Sequence, residues 1–217
     1  MKKRSPILLL SLFALTLTLS LTLSAQKDPE AMKVLDEFSK KATSAPSVTI
    51  EFTLVTSNAQ EGDVTTLTGS AIISGDKYQL KLPDNNIWTD GKAVWSYLPD
   101  INEVTINESD PDDESFMSKP SLLFTMYREG YKVRMVEQTA SEWVIDLYPE
   151  EIASDLIRIR LRIGKDLYDL KGAEYKTKDG ITMNLTSDKY DLTFKPGADF
   201  FTFNPADHKG VDVIDMR

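Results

Sequence analysis

From Val48 onward, apolar residues recur at every second position in one short run after another, and Gly, Pro, Asn or Asp separates the runs. A period of two puts alternate side chains on opposite faces of an extended strand, so such a chain is committed to antiparallel sheet with one face buried. Val48, Ile50, Phe52 and Leu54 alternate with Thr49, Glu51 and Thr53. A polar tip over residues 58–63 leads to Leu67, Ala71 and Ile73, where Gly69 predicts a bend or a close backbone approach. Ser74-Gly75-Asp76 turns the chain into Tyr78, Leu80 and Leu82. In the next meander Ala93, Trp95 and Tyr97 share a face, Asp90-Gly91 reads as a two-residue type I′ turn, and Val104 and Ile106 follow. Later runs pass through Tyr131, Val133 and Met135, then Trp143, Ile145 and Leu147, then Ile157, Ile159, Leu161 and Ile163. Lys178-Asp179-Gly180 is a hairpin turn between Tyr175 and Ile181, Met183 and Leu185, and Tyr190, Leu192 and Phe194 read as a last regular strand. The total is about ten to eleven strands, spaced as in one curved sheet or barrel.

Two segments follow a helical period instead. Asp28-Pro29-Glu30 supplies an N-cap, a proline at the first helical position and an acid at the positive dipole end. Met32, Val34, Leu35, Phe38 and Ala42 then form an apolar stripe that ends before Ala45-Pro46. After a loop crowded with Asp110, Asp112, Asp113 and Glu114, Lys119-Pro120-Ser121 opens a short helix ended by Gly130. Leu122, Leu123, Phe124, Met126 and Tyr127 make it apolar on most of its circumference, so it needs cover on more than one side.

The N-terminus is a separate object. Lys2, Lys3 and Arg4 precede an uncharged run over residues 7–23, and Ser24-Ala25-Gln26 offers a cleavage site for a signal peptide over residues 1–25. An uncleaved anchor is the alternative, because a spanning helix needs roughly 17–25 residues. The five serines and threonines in the run argue for cleavage, whereas Leu23 stands where a small residue is usual. Residues 26–217 would then form a single exported domain.

The chain has no cysteine, which excludes disulfides, thiolate metal sites, a cysteine nucleophile and lipid attachment to the protein itself. With a formal charge of −9 and no basic cluster, it is a poor binder of nucleic acid. Arg158, Arg160 and Arg162 lie on one strand face, which reads as a solvated stripe paired with acids on neighbouring strands. The one histidine, His208, reads as a surface residue, and no Gly-x-Ser-x-Gly elbow accompanies it. The acidic cluster lacks the spacing and central glycine of a calcium loop, so no metal or cofactor is expected. Carboxylate pairs for glycoside hydrolysis are defined in space and not in sequence, and nothing here points to one.

What the chain has in excess is apolar surface arranged for one-sided burial. A sheet of this size curls around more volume than two short helices fill, and such sheets commonly enclose a ligand cavity. An acyl chain needs no polar code there, since each buried methylene contributes about 0.8 kcal/mol.

Three motifs, in order, resemble the LolA-type carriers of outer-membrane lipoproteins. They are Asp90-Gly91-Lys92-x-x-Trp95-x-Tyr97-x-Pro99, Lys119-Pro120 leading into Leu122 and Leu123, and Phe201-x-Phe203-x-Pro205 followed by Gly210-Val211-x-Val213. The resemblance implies a mainly β fold, an incomplete antiparallel barrel lidded by an N-terminal helix and a short second one. It implies a periplasmic, monomeric, non-enzymatic carrier. Its cargo would be acylated lipoproteins, taken from an inner-membrane ABC transporter to an acceptor at the outer membrane. On this reading Ile50, Phe52, Tyr78, Leu80, Trp88 and Trp95 line the cavity, and Leu122, Leu123, Phe124 and Met126 form the lid. Trp95 and Tyr97 could instead pack beneath the N-terminal helix. The family's lid-latching arginine is missing from residues 73–78, so Lys77 replaces it or the lid is held otherwise. Two other readings stay open: a periplasmic lipid-binding sensor on the same half-barrel, and a secreted hydrolase of another type.

Overall fold

The computed structural model describes residues 27–110 and 118–217, so the signal-peptide reading and most of the acidic loop lie outside it. Helix α1 (Pro29–Ser44) begins where Asp28 Oδ1 accepts from the amides of Glu30 and Ala31, and it ends at extended Ala45 before Pro46. Its Ala31, Val34, Leu35, Phe38 and Ala42 are buried. Twelve strands follow: β1 (Val48–Asn58), β2 (Val64–Ser74), β3 (Lys77–Lys81), β4 (Asn86–Thr89), β5 (Ala93–Leu98), β6 (Glu103–Glu108), β7 (Tyr131–Gln138), β8 (Glu142–Pro149), β9 (Leu156–Gly164), β10 (Leu170–Thr177), β11 (Ile181–Asp191) and β12 (Asp212–Asp215). They form one sheet in the order β12-β6-β5-β4-β3-β2-β1-β11-β10-β9-β8-β7. β12 and β7 stand at opposite ends and do not pair, so the sheet is an open half-barrel with α1 against its concave face.

The register assigns the faces. Ile50 pairs with Ala71 and Tyr190, Leu80 with Ala71, Ile145 with Leu161, and all of these pack into the core under α1. Gly69 answers the expectation of a close approach, because a Cβ there would lie 2.7 Å from the Phe52 ring and 2.9 Å from the Lys81 carbonyl oxygen. On the convex face, Arg160 and Arg158 meet Asp146, Arg158 also meets Glu174, and Arg162 meets Glu142, so the arginine stripe is paired across strands as expected.

Four local readings change. Tyr190 belongs to β11, continuous with Ile181 through Leu185, because a bulge opposite Glu51 and Phe52 lets the strand run on. The segment ahead of Gly130 is two 3-10 turns, Pro120–Phe124 and Met126–Arg128, broken at Thr125. The Asp90-Gly91 turn is not type I′, since only Gly91 has positive φ (88°). Asp90 instead accepts from the amides of Lys92 and Ala93 and holds a longer connection, and those amides outweigh its burial and lower its pKa. Finally, the acidic tail contains β12, which pairs parallel to β6.

Candidate lipid-binding cavity

The site begins with small residues. Where α1 runs out, Ala42, Thr43 and Ala45 leave space between the helix, the start of β1 at Val48 and the end of β2 at Ile73. The first 3-10 turn closes over this gap with Leu122 and Phe124. The result is a partly open cavity of about 540 Å³, a size found for small-molecule sites. Its apolar lining is made by Val48, Ile73, Leu122 and Phe124. Hydroxyls line it as well, from Ser74, Thr89, Ser109, Ser121 and Thr125, together with Asp76 and Lys119.

The lid is held unevenly. Its first turn rests on apolar contact: Leu123 and Phe124 are buried, and the Phe124 ring lies 5.6 Å from that of Phe38 on α1. Its second turn is pinned by polar bonds to the N-terminal segment. The Tyr127 hydroxyl donates to Asp36 at 2.7 Å, and Arg128 Nη2 donates to Ser39 Oγ at 3.1 Å. Lys27 Nζ donates to the carbonyls of Tyr127 (3.1 Å) and Arg128. Burial, with the Asp36 carboxylate beside it, pushes the Tyr127 pKa up. Among the described residues Lys77 makes no hydrogen bond to the lid, so Lys77 does not take the place of the missing arginine.

The ten residues singled out in the sequence fall into three groups. Ile50, Phe52, Tyr78 and Leu80 all lie on the concave face, inside the main core and behind the cavity wall. Leu122 and Phe124 line the cavity, with Leu123 in the same core and Met126 packed against it. Trp88 and Trp95 lie on the convex face. Trp88 pairs with Gln79 and Trp95, one residue out of phase with Tyr78 and Leu80. There Trp88 joins Tyr97, Val104 and Phe203 in a second cluster under the C-terminal segment, and Trp95 packs against it. His208 belongs to that packing: its ring stacks on Phe203 at 4.6 Å and lies 4.4 Å from Tyr97. It is therefore half-buried among aromatics and not a plain surface residue.

The residues missed in the sequence, Ala42, Ala45, Ser74 and Thr89 among them, carry no alternation signal. They are small or polar, and a void forms where side chains are small.

Among the described residues no group of three or more His, Cys, Asp or Glu could hold a metal ion. No helix among them is long and apolar enough to cross a membrane.

A comparison with curated proteins gives no match. Among solved structures, an uncharacterized conserved protein from Thermus thermophilus is similar, with a TM-score of 0.52 at 12% identity, over 86% of this chain and 99% of that one. A LolA superfamily protein from Nitrosomonas europaea gives 0.41 at 11% identity over 79% and 97%. The MucA/MucB complex of Pseudomonas aeruginosa gives 0.39 at 10% identity over 81% and 61%. The first of these shares the half-barrel fold. The family model for the outer membrane lipoprotein carrier protein LolA matches residues 21–168, most of the sequence, and the chain belongs to that family.

Proposed function

We propose that the protein is a periplasmic carrier that takes the acyl chain of a lipoprotein into the cavity between α1, the β2 end and the lid, and moves it from the inner to the outer membrane. The observation that supports this best is the asymmetry of the lid. A turn whose buried side chains, Leu123 and Phe124, rest on apolar contact, beside one pinned to α1 by hydrogen bonds, can swing aside without unpinning the domain. Burying acyl methylenes at about 0.8 kcal/mol each offsets the exposure of the lid's apolar side. Membership of the LolA family supports lipid or lipoprotein binding in general and a periplasmic location. The finer assignments are proposals: cleavage before Gln26, residues 26–217 as one domain, a monomeric state, an inner-membrane ABC transporter as donor and an outer-membrane acceptor. In the same way Ile50, Phe52, Tyr78 and Leu80 are proposed to be bared to cargo when α1 and the lid shift.

The test is mass spectrometry of lipid co-purifying with the full chain expressed to the periplasm, paired with a pull-down of lipoproteins. Acylated lipoprotein on the wild type, and its loss in Leu122→Asp with an unchanged melt, is the expected result. A protein that carries no acyl species would overturn the reading.

A further inference from the structure

The polar part of the cavity wall is polar in one particular way. It presents hydroxyls, and among the described residues its charges are one of each sign, Asp76 and Lys119. Thr89 is the most buried residue among those that supply hydroxyls, at 2% exposed, on the concave side of β4 opposite Tyr78. Its Oγ1 accepts from the Gly91 amide at 3.1 Å, and among the described residues its own proton has no acceptor. Ser74 differs, because its hydroxyl is spent on the Pro46 carbonyl at 2.9 Å. A buried hydroxyl that accepts one bond and donates none still has its proton to give, at a cost if the proton stays unpaired. A hydrocarbon tail has nothing to receive it. A carbonyl does.

Resting on the carrier reading above, we infer that this wall recognises the carbonyl of an acyl linkage, ester or amide, with Thr89 as the donor and Leu122 and Phe124 covering the methylenes beyond it. The cargo class is then narrowed from apolar chains in general to neutral acyl esters and amides. Simple hydrocarbons would bind by area alone, and an aliphatic ether, which lacks the oxygen projecting from the acyl carbon, would be held less tightly than the ester.

The experiment compares two ligands that differ only in the carbonyl, 1-palmitoylglycerol and 1-O-hexadecylglycerol, as competitors for cis-parinaric acid bound to the full chain. The wild type should prefer the ester by about fivefold, the effect of one hydrogen bond. Thr89→Val should equalise the two by weakening the ester, and Thr89→Ser, which keeps the hydroxyl, should restore the preference. Equal competition in the wild type, or a preference that survives in Thr89→Val, would overturn the inference while leaving acyl binding intact. If neither ligand displaces the probe, the carrier reading itself fails and takes this inference with it.

Discussion

The Tyr127 hydroxyl and the Asp36 carboxylate, 2.7 Å apart, join the second turn of the lid to α1. Tyr127→Phe keeps the buried ring and removes the bond, so it should destabilise the fold by about 1 kcal/mol. Because burial and Asp36 raise the tyrosine's pKa above its ordinary value of 10.0, the stabilisation is complete below pH 10 and is lost as pH rises toward the folded value. Thermal melts of the two proteins should therefore converge above pH 10. A constant gap across that range would refute the linkage.

Gly69 should tolerate no side chain. In Gly69→Ala the new Cβ meets both the Phe52 ring and the Lys81 backbone carbonyl, at a cost of about 1–3 kcal/mol. Phe52→Leu in the same chain should recover only part of it, since the carbonyl cannot retreat. Denaturation midpoints of the single and double variants decide this, and full recovery would show that the ring alone is the obstacle.

Asp146 is 1% exposed and accepts from Arg160 at 2.6 and 2.9 Å and from Tyr148 at 2.9 Å, with Arg158 beside it. Burial alone would raise its pKa, but Arg160 and its neighbours outweigh burial and lower it. Its contribution is thus present above the ordinary value of 3.8 and lost as pH falls through the lower folded value. Asp146→Asn should cost about 3 kcal/mol at neutral pH by stranding the arginines, and the penalty should shrink in acid. Urea melts at pH 7 and near pH 3 measure both.

The native tryptophans should be poor reporters of cargo. Trp88 and Trp95 sit on the convex face, and Trp143 packs against the Tyr168 ring and is not among the residues that line the cavity. Brominated palmitate should leave their fluorescence nearly unchanged, whereas in Leu122→Trp it should quench the added signal strongly. Quenching of the wild type to the same degree would place the chain elsewhere.

How far the sequence could be read follows from what each element depends on. Helix α1 was legible to the residue, because Asp28, Pro29 and Pro46 act locally. Strands with one buried face were legible too. Alternation reports that a face is buried and says nothing of which face it is. Trp88 and Trp95 show the consequence: large aromatics on a strand look like cavity wall, yet the C-terminal Phe203 and His208 come back to bury them from outside. The cavity was illegible for the opposite reason, since Ala42, Ala45 and Thr89 matter by what they leave empty.

The two ends of the open sheet are closed by chain that arrives at very different times. On β7, Asp28 donates its amide to the Val133 carbonyl and accepts from the Met135 amide, a partner present before the strand is made. On β6, the partner is β12, which emerges some hundred residues later. Until then β6 is a bare template for another molecule's strand. A chain that becomes available in sequence order passes through a stage with this edge bare, and Asp212–Asp215 ends it. Deleting residues 212–217 should therefore show itself less as a lowered melt than as concentration-dependent aggregation during refolding.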